Sequence, residues 1–277
     1  MKPKVLITLG CSFTEGHGCY IEPFPYYINI SDKERYYIEE ENRNILEKNY
    51  EQQLENFRKH SWSYFLGKNL GFDRVINLGL CGSSNDAHLK IFFDYLENNK
   101  LGDSDVLIIW YMTEPSRFSF YINGKVKSYM PTTKEVTGIE KEYLKEIGNI
   151  DSDPILEQKF YIKAMESFCK LNNFDLILTS INPTYKLLHK IYQTNSYLEP
   201  YPFHLQPPRT SIDSETLEYY SFCSHPNQKG YMWIADKMAK GIKKYHSKWY
   251  SDIPNPNVEY TWQGELEIVD KKPNFLI

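Results

Sequence analysis

The stretch Val5-Leu6-Ile7-Thr8-Leu9-Gly10-Cys11-Ser12-Phe13-Thr14-Glu15-Gly16 decides how the chain is read. Residues 4–9 have the near-continuous apolar character of a strand buried on both faces of a parallel sheet. The run stops at Gly10, and a serine follows two residues later. A strand ending this way lifts a hydroxyl above the carboxyl edge of the sheet, where open α/β sheets bind their ligands.

Working outward, the same kind of run recurs. Strands are predicted over residues 74–78, 105–111 and 175–180, and the third is the most apolar. Helical patterns separate them. Ser61 reads as the N-cap of a helix with Trp62, Phe65, Leu66 and Leu70 inside and Gly71 as its stop. Asn85 or Asp86 opens a second helix with Leu89, Phe92, Phe93 and Leu96 on one face. Leu156, Phe160, Ala164, Phe168 and Leu171 are spaced for a crossover helix. A last helix from about Asn227 to Tyr245 turns Tyr231, Ile234, Ala235, Met238 and Ile242 inward. Alternating strands and helices predict a parallel sheet with helices on both faces.

The remainder reads as loops and insertions. Residues 17–30 have no clean period, and 31–60 form a polar insertion, either a solvated helix or a lid. Phe118 to Met130 reads as a hairpin around Asn123-Gly124. Residues 131–153 are loop-like, with a short helix near 139–146. Residues 182–210 make a long Pro-containing loop in which a fifth edge strand falls near 201–205. The tail 249–277 carries no readable role. The expectation is one domain over 1–277, with insertions at about 17–60 and 118–153.

Composition narrows the function. A length of 277 residues suffices for one sizeable core, and a formal charge of −4 predicts no general attraction to nucleic acid or anionic membrane. No apolar run approaches ~20 residues, so no membrane span is expected. Met1-Lys2-Pro3-Lys4 leads straight into a strand, without a signal-peptide pattern, and the five cysteines lack a framework spacing. Both point to a cytoplasmic, reducing setting. The 23 tyrosines follow a bias toward Lys, Asn, Tyr and Ile, or else provide aromatic platforms for sugar rings.

Three turns fall at the carboxyl ends of the first three strands, and Ser224-His225-Pro226-Asn227-Gln228-Lys229-Gly230 lies just before the last helix. This set resembles the SGNH (GDSL-like) hydrolase family. The family's Gly-Asp-Ser stands here as Gly10-Cys11-Ser12. Its Asn-x-Gly-x-x-Gly turn stands as Asn77-Leu78-Gly79-Leu80-Cys81-Gly82. Its His-Pro block stands as His225-Pro226 with Gly230 downstream. The motif from Trp110 to Arg117, with Gly82-Ser83-Ser84-Asn85-Asp86, also looks like a divergent branch encoded by bacteriophages and other viruses.

The resemblance implies a three-layer, flavodoxin-like α/β fold and a serine esterase. In it Ser12 is the nucleophile and His225 its base. The backbone N–H groups of Ser12 and Gly82 form an oxyanion hole, and Arg117 and Ser83 contact substrate. The chemistry calls for these types: a serine hydroxyl needs a base to take its proton, and the tetrahedral oxyanion needs preorganised donors. The implied substrate is a small-molecule or carbohydrate ester, such as an O-acetyl group, with no cofactor and no metal. Oligomer or virion assembly is a further expectation. An acyltransferase is a close variant.

Two departures stand out. The aspartate that the family places three residues before the histidine is Phe222 here, leaving a backbone carbonyl, Asp213, Glu218 or nothing to orient the imidazole. The third-block asparagine is missing, so the side-chain oxyanion donor falls to the Thr113 hydroxyl or the Asn85 amide. These losses support an alternative, a degenerate scaffold serving as a glycan-binding or virion structural protein. Arg117 has a structural alternative as well, pairing with Glu114 or another acid. Cys11, Cys81 and Cys223 lie near the blocks and read as small packed thiols rather than metal ligands.

Overall fold

The computed structural model describes residues 2–16, 59–113, 115, 117–122, 125–129, 154–180, 219 and 225–262. The readings for residues 17–58, 131–153 and 182–210, the Asn123-Gly124 turn, and Phe222 and Cys223 lie outside them.

Among the described residues the central sheet has five strands, all parallel: β1 (Lys4–Gly10), β2 (Arg74–Gly79), β3 (Asp105–Met112), β6 (Asp175–Ser180) and β7 (Glu259–Trp262). β4 (Phe118–Ile122) and β5 (Lys125–Tyr129) pair separately as an antiparallel hairpin. The helices are α1 (Ser12–Glu15), α2 (Trp62–Leu70), α3 (Asn85–Asn98), α4 (Pro154–Asn172) and α5 (Gln228–Tyr245). The molecule is an α/β fold.

The pleat sorts the strand side chains into two cores, because successive residues point to opposite faces. Val5, Ile7 and Leu9 of β1 join Ile108 and Trp110 of β3 on the side of α3 and α4. Leu6 joins Leu107, Ile109 and Tyr111 on the side of α2 and α5, where Trp62, Leu66, Tyr231, Ile234, Met238 and Ile242 cover the sheet. Burial on both faces is why the strands read as unbroken apolar runs.

The sheet order is β6-β3-β1-β2-β7. Its first four strands follow the flavodoxin-like order, with β1 between β2 and β3. The chain leaves β1 toward one neighbour and returns to the other, so the crevice at the β1 carboxyl end is a topological switch point.

β7 departs from that order. It sits beyond β2 and lies in the tail left unassigned from sequence. The segment after α5 explains its place. Trp249 donates its indole N–H to Asp175 of β6 and stacks its ring on Phe72, just before β2, which turns the chain toward the outer edge of β2. Asn255 then bonds Lys68 O and Phe72 O, and Glu259 N bonds Asp73 O, which guides the segment along α2 to that edge.

A second correction concerns α4. The helix lies where its spacing predicts, but its inner face is different. Leu156, Phe160 and Leu171 are 61%, 71% and 83% exposed, while Gln158, Ile162, Met165 and Cys169 are buried. α4 carries apolar residues on two faces, and spacing alone does not say which one meets the sheet. Among the described residues no helix is long and apolar enough to cross a membrane.

Candidate active site

Two glycines bring α1 down onto the strand ends. A Cβ at Gly10 would stand 2.0 Å from Thr14 Oγ1 and 3.0 Å from Tyr111 O. At Gly79 it would stand 2.4 Å from Glu15 N and 2.7 Å from Thr14 C. Both lie inside van der Waals contact, so any side chain at either position would lift α1. Cys11 is the N-cap, with extended backbone, and Gly16 ends the turn at φ 99°, donating its N–H to Ser12 O at 3.1 Å.

Asn77, an amide inside a buried strand, holds α1 from below. Its Nδ2 donates to Thr14 O at 2.7 Å and to the Tyr260 hydroxyl at 2.9 Å, with Ser61 Oγ at 3.3 Å. Its Oδ1 accepts the Gly79 N–H at 2.8 Å. Ser61 does occupy the N-cap position of α2, but its hydroxyl makes no cap bond and instead meets Tyr260 OH at 3.1 Å.

Ser12 is thereby placed at the start of α1, its side chain 7% exposed. Its Oγ lies 2.7 Å from Nε2 of His225, 213 residues away in sequence. That separation is within the reach a general base needs. The Phe13 ring packs beside the imidazole, with centroids 5.2 Å apart and planes at 45°, and is itself stacked on Tyr111.

His225 is placed by the cap of α5. Asn227 Oδ1 accepts the Gly230 N–H at 3.0 Å, and Asn227 N donates to Tyr219 O at 3.0 Å. A Cβ at Gly230 would come within 2.3 Å of Tyr219 O, so glycine is required for this close approach. Phe222, Asp213 and Glu218, the positions weighed for the orienting group, lie outside the described residues.

The second turn is tied to the first by Leu80 N donating to Gly10 O at 2.9 Å. Gly82 at its tip is exposed and has φ 76°, a left-handed conformation that favours glycine. Among the described residues, its chain neighbours aside, no atom lies within 4 Å of where its Cβ would be.

Two expected site residues have other work. Asn85 is fully buried, and its Nδ2 donates to Thr113 O at 3.1 Å and Gln158 Oε1 at 2.9 Å. Its Oδ1 accepts the Thr113 N–H at 2.9 Å. Both amide hydrogens are committed, so Asn85 clamps the end of β3 rather than offering a donor to an oxyanion. Thr113 lies beside it, 2% exposed.

Ser83, expected to touch substrate, points inward. Its hydroxyl donates to Leu80 O at 2.6 Å, and Nε2 of His88 lies 2.7 Å from its oxygen. Arg117 is half-buried at the foot of β4, and its charge is felt by His88. Burial first, and then that charge, push the His88 pKa down to about 3. Burial raises the carboxyl pKa of Asp86 against the hydrogen bond it accepts from Ser84.

Of the two described thiols beside the motifs, Cys11 is buried and Cys81 exposed. Among the described residues no group of three or more His, Cys, Asp or Glu is placed to hold a metal. Tyr260 and His88 escaped the sequence reading as site-building residues, and Asn77, quoted there as the head of the second turn, was given no anchoring role. For that role the signal was a polar Asn77 within the apolar run Val75-Ile76-Asn77-Leu78. No protein-family model, no curated protein and no solved structure matches this chain.

Proposed function

We propose that the chain is a divergent SGNH-type hydrolase that cleaves an ester, an O-acetyl group on carbohydrate or a small acyl ester, through an acyl-enzyme on Ser12. The observation that carries this reading is the 2.7 Å contact between Ser12 Oγ and His225 Nε2 at the switch point of a parallel sheet. A serine on a strand-to-helix turn gains little structurally from a distant histidine. As a nucleophile it needs one.

In this mechanism Ser12 Oγ attacks the acyl carbon while its proton passes to His225 Nε2. The carbonyl oxygen becomes an oxyanion and takes the backbone N–H groups of Ser12 and Gly82. The imidazolium then protonates the leaving alkoxide, which departs as the alcohol and leaves the acyl group on Ser12. Water, deprotonated by His225, then attacks the acyl carbon, and as the acid departs Ser12 Oγ takes that proton back from His225. Arg117 is the candidate for holding a polar or anionic part of the substrate.

Labelling with a fluorophosphonate probe tests this directly. The wild type should label at Ser12, and Ser12→Ala should not. His225→Ala should slow labelling by about 10²–10⁴-fold, the usual contribution of a general base.

The commitment of the Asn85 amide favours a second reading, a glycan-binding scaffold without turnover. A folded wild type that resists the probe and binds glycans would establish it. Acyl transfer to an added sugar, in place of release of the free acid, would mark a transferase.

A further inference from the structure

We propose that His88 is a positioning residue of this site: its imidazole, held in one tautomer by the Trp110 indole, locks Ser83 and through it the Leu80–Gly82 turn. This rests on the reading in which the Gly82 N–H serves the oxyanion.

The hydrogen positions follow from the donor inventory. An indole N–H can only donate. Trp110 Nε1 lies 3.1 Å from His88 Nδ1, so Nδ1 carries no proton and accepts. A neutral ring then carries its proton on Nε2, which lies 2.7 Å from Ser83 Oγ and donates to it. The Ser83 hydroxyl hydrogen must go elsewhere, and Leu80 O takes it at 2.6 Å, with Gly10 O at 3.4 Å. The relay therefore runs one way, from Trp110 through His88 and Ser83 to the Leu80 carbonyl.

The ring is fully buried, and burial with the nearby Arg117 charge keeps it neutral. An imidazolium would turn the Nδ1–H against the indole N–H and break the relay at its origin. The far end matters because Leu80 is gripped twice. Its N–H is held by Gly10 O, two residues before Ser12, and its carbonyl by the Ser83 hydroxyl and the Ser83 N–H. The peptide units from 80 to 83, Gly82 N–H among them, are thus fixed relative to the nucleophile. An apolar residue would fill the position of His88 but could not set the direction of these bonds.

Two measurements test it. In full-length protein labelled with ¹⁵N-histidine, long-range proton–nitrogen correlation should show His88 as the Nε2–H tautomer, unchanged between about pH 5 and about pH 8. The Nδ1–H tautomer, or titration in that range, overturns the proposal. The second is probe labelling of Ser12 in Ser83→Ala, His88→Leu and His88→Gln. Ser83→Ala and His88→Leu should lower the maximal labelling rate about tenfold, a fraction of what loss of an oxyanion donor costs, with half-saturation unchanged. His88→Gln, which can accept from Trp110 and donate to Ser83, should recover most of the rate.

Wild-type rates in Ser83→Ala and both His88 variants overturn the role of His88 alone. A wild type unlabelled at Ser12 overturns the hydrolase reading, and the role given to His88 with it. Should His88→Leu fail to fold, the tautomer and Ser83→Ala still decide.

Discussion

A methyl group added at Gly79 would meet backbone, Glu15 N and Thr14 C, which cannot swing aside. Gly79→Ala should therefore cost about 3 kcal/mol, the upper part of the overpacking range, read as a lowered urea midpoint. Gly82→Ala is the contrast. No described residue would meet its added methyl group, so only the positive φ is strained and the loss should stay at about 1 kcal/mol, the size of the glycine–alanine difference. A larger drop at Gly82 than at Gly79 would contradict this account of the two turns. Ser12 and His225 were legible as a pair because a Gly-x-Ser turn after a strand and a His-Pro block are local patterns. Asn85 and Ser83 were not. What an amide or hydroxyl does depends on which backbone groups the fold brings to it, here Thr113 and Leu80, and no spacing encodes that.

Among the elements, α5 carries the clearest link between stability and site. Asn227 caps it two residues after His225. Asn227→Ala should cost about 1 kcal/mol by thermal unfolding, as caps commonly do. It should also slow Ser12 labelling, since it frees the segment that aims the imidazole. Labelling at the wild-type rate would show that His225 is aimed without the cap. The inner face of α5 and the strand bounds were readable, because burial leaves a continuous or one-sided apolar pattern. α4 was misread where apolar residues occupy two faces, and β7 was missed because Glu259-Tyr260-Thr261-Trp262 is a short edge strand without a buried run.

Across the whole molecule, the tail and the site are joined through Asn77. Tyr260→Phe removes a hydroxyl that meets both Asn77 and Ser61. It should lower stability by roughly 1 kcal/mol in urea unfolding, the net worth of a hydrogen bond. Stability should also depend on pH through His88. Its folded pKa, about 3, lies below the unfolded value of 6.5, so the unfolded chain binds more protons between them. His88 therefore makes stability rise with pH through that window and fall on acidification below 6.5. The slope is at most about 1.4 kcal/mol per pH unit. Urea midpoints at about pH 7.5 and about pH 5 should differ less in His88→Gln than in the wild type. Equal differences would contradict a buried neutral ring.

The 213-residue separation of Ser12 from His225 has a kinetic consequence. A pair closed over so long a loop forms only after the intervening topology has paid its closure entropy. During refolding, probe reactivity at Ser12 should return together with global structure rather than with early helix formation. The same probe that tests the chemistry would then serve as a clock for the arrival of the native state.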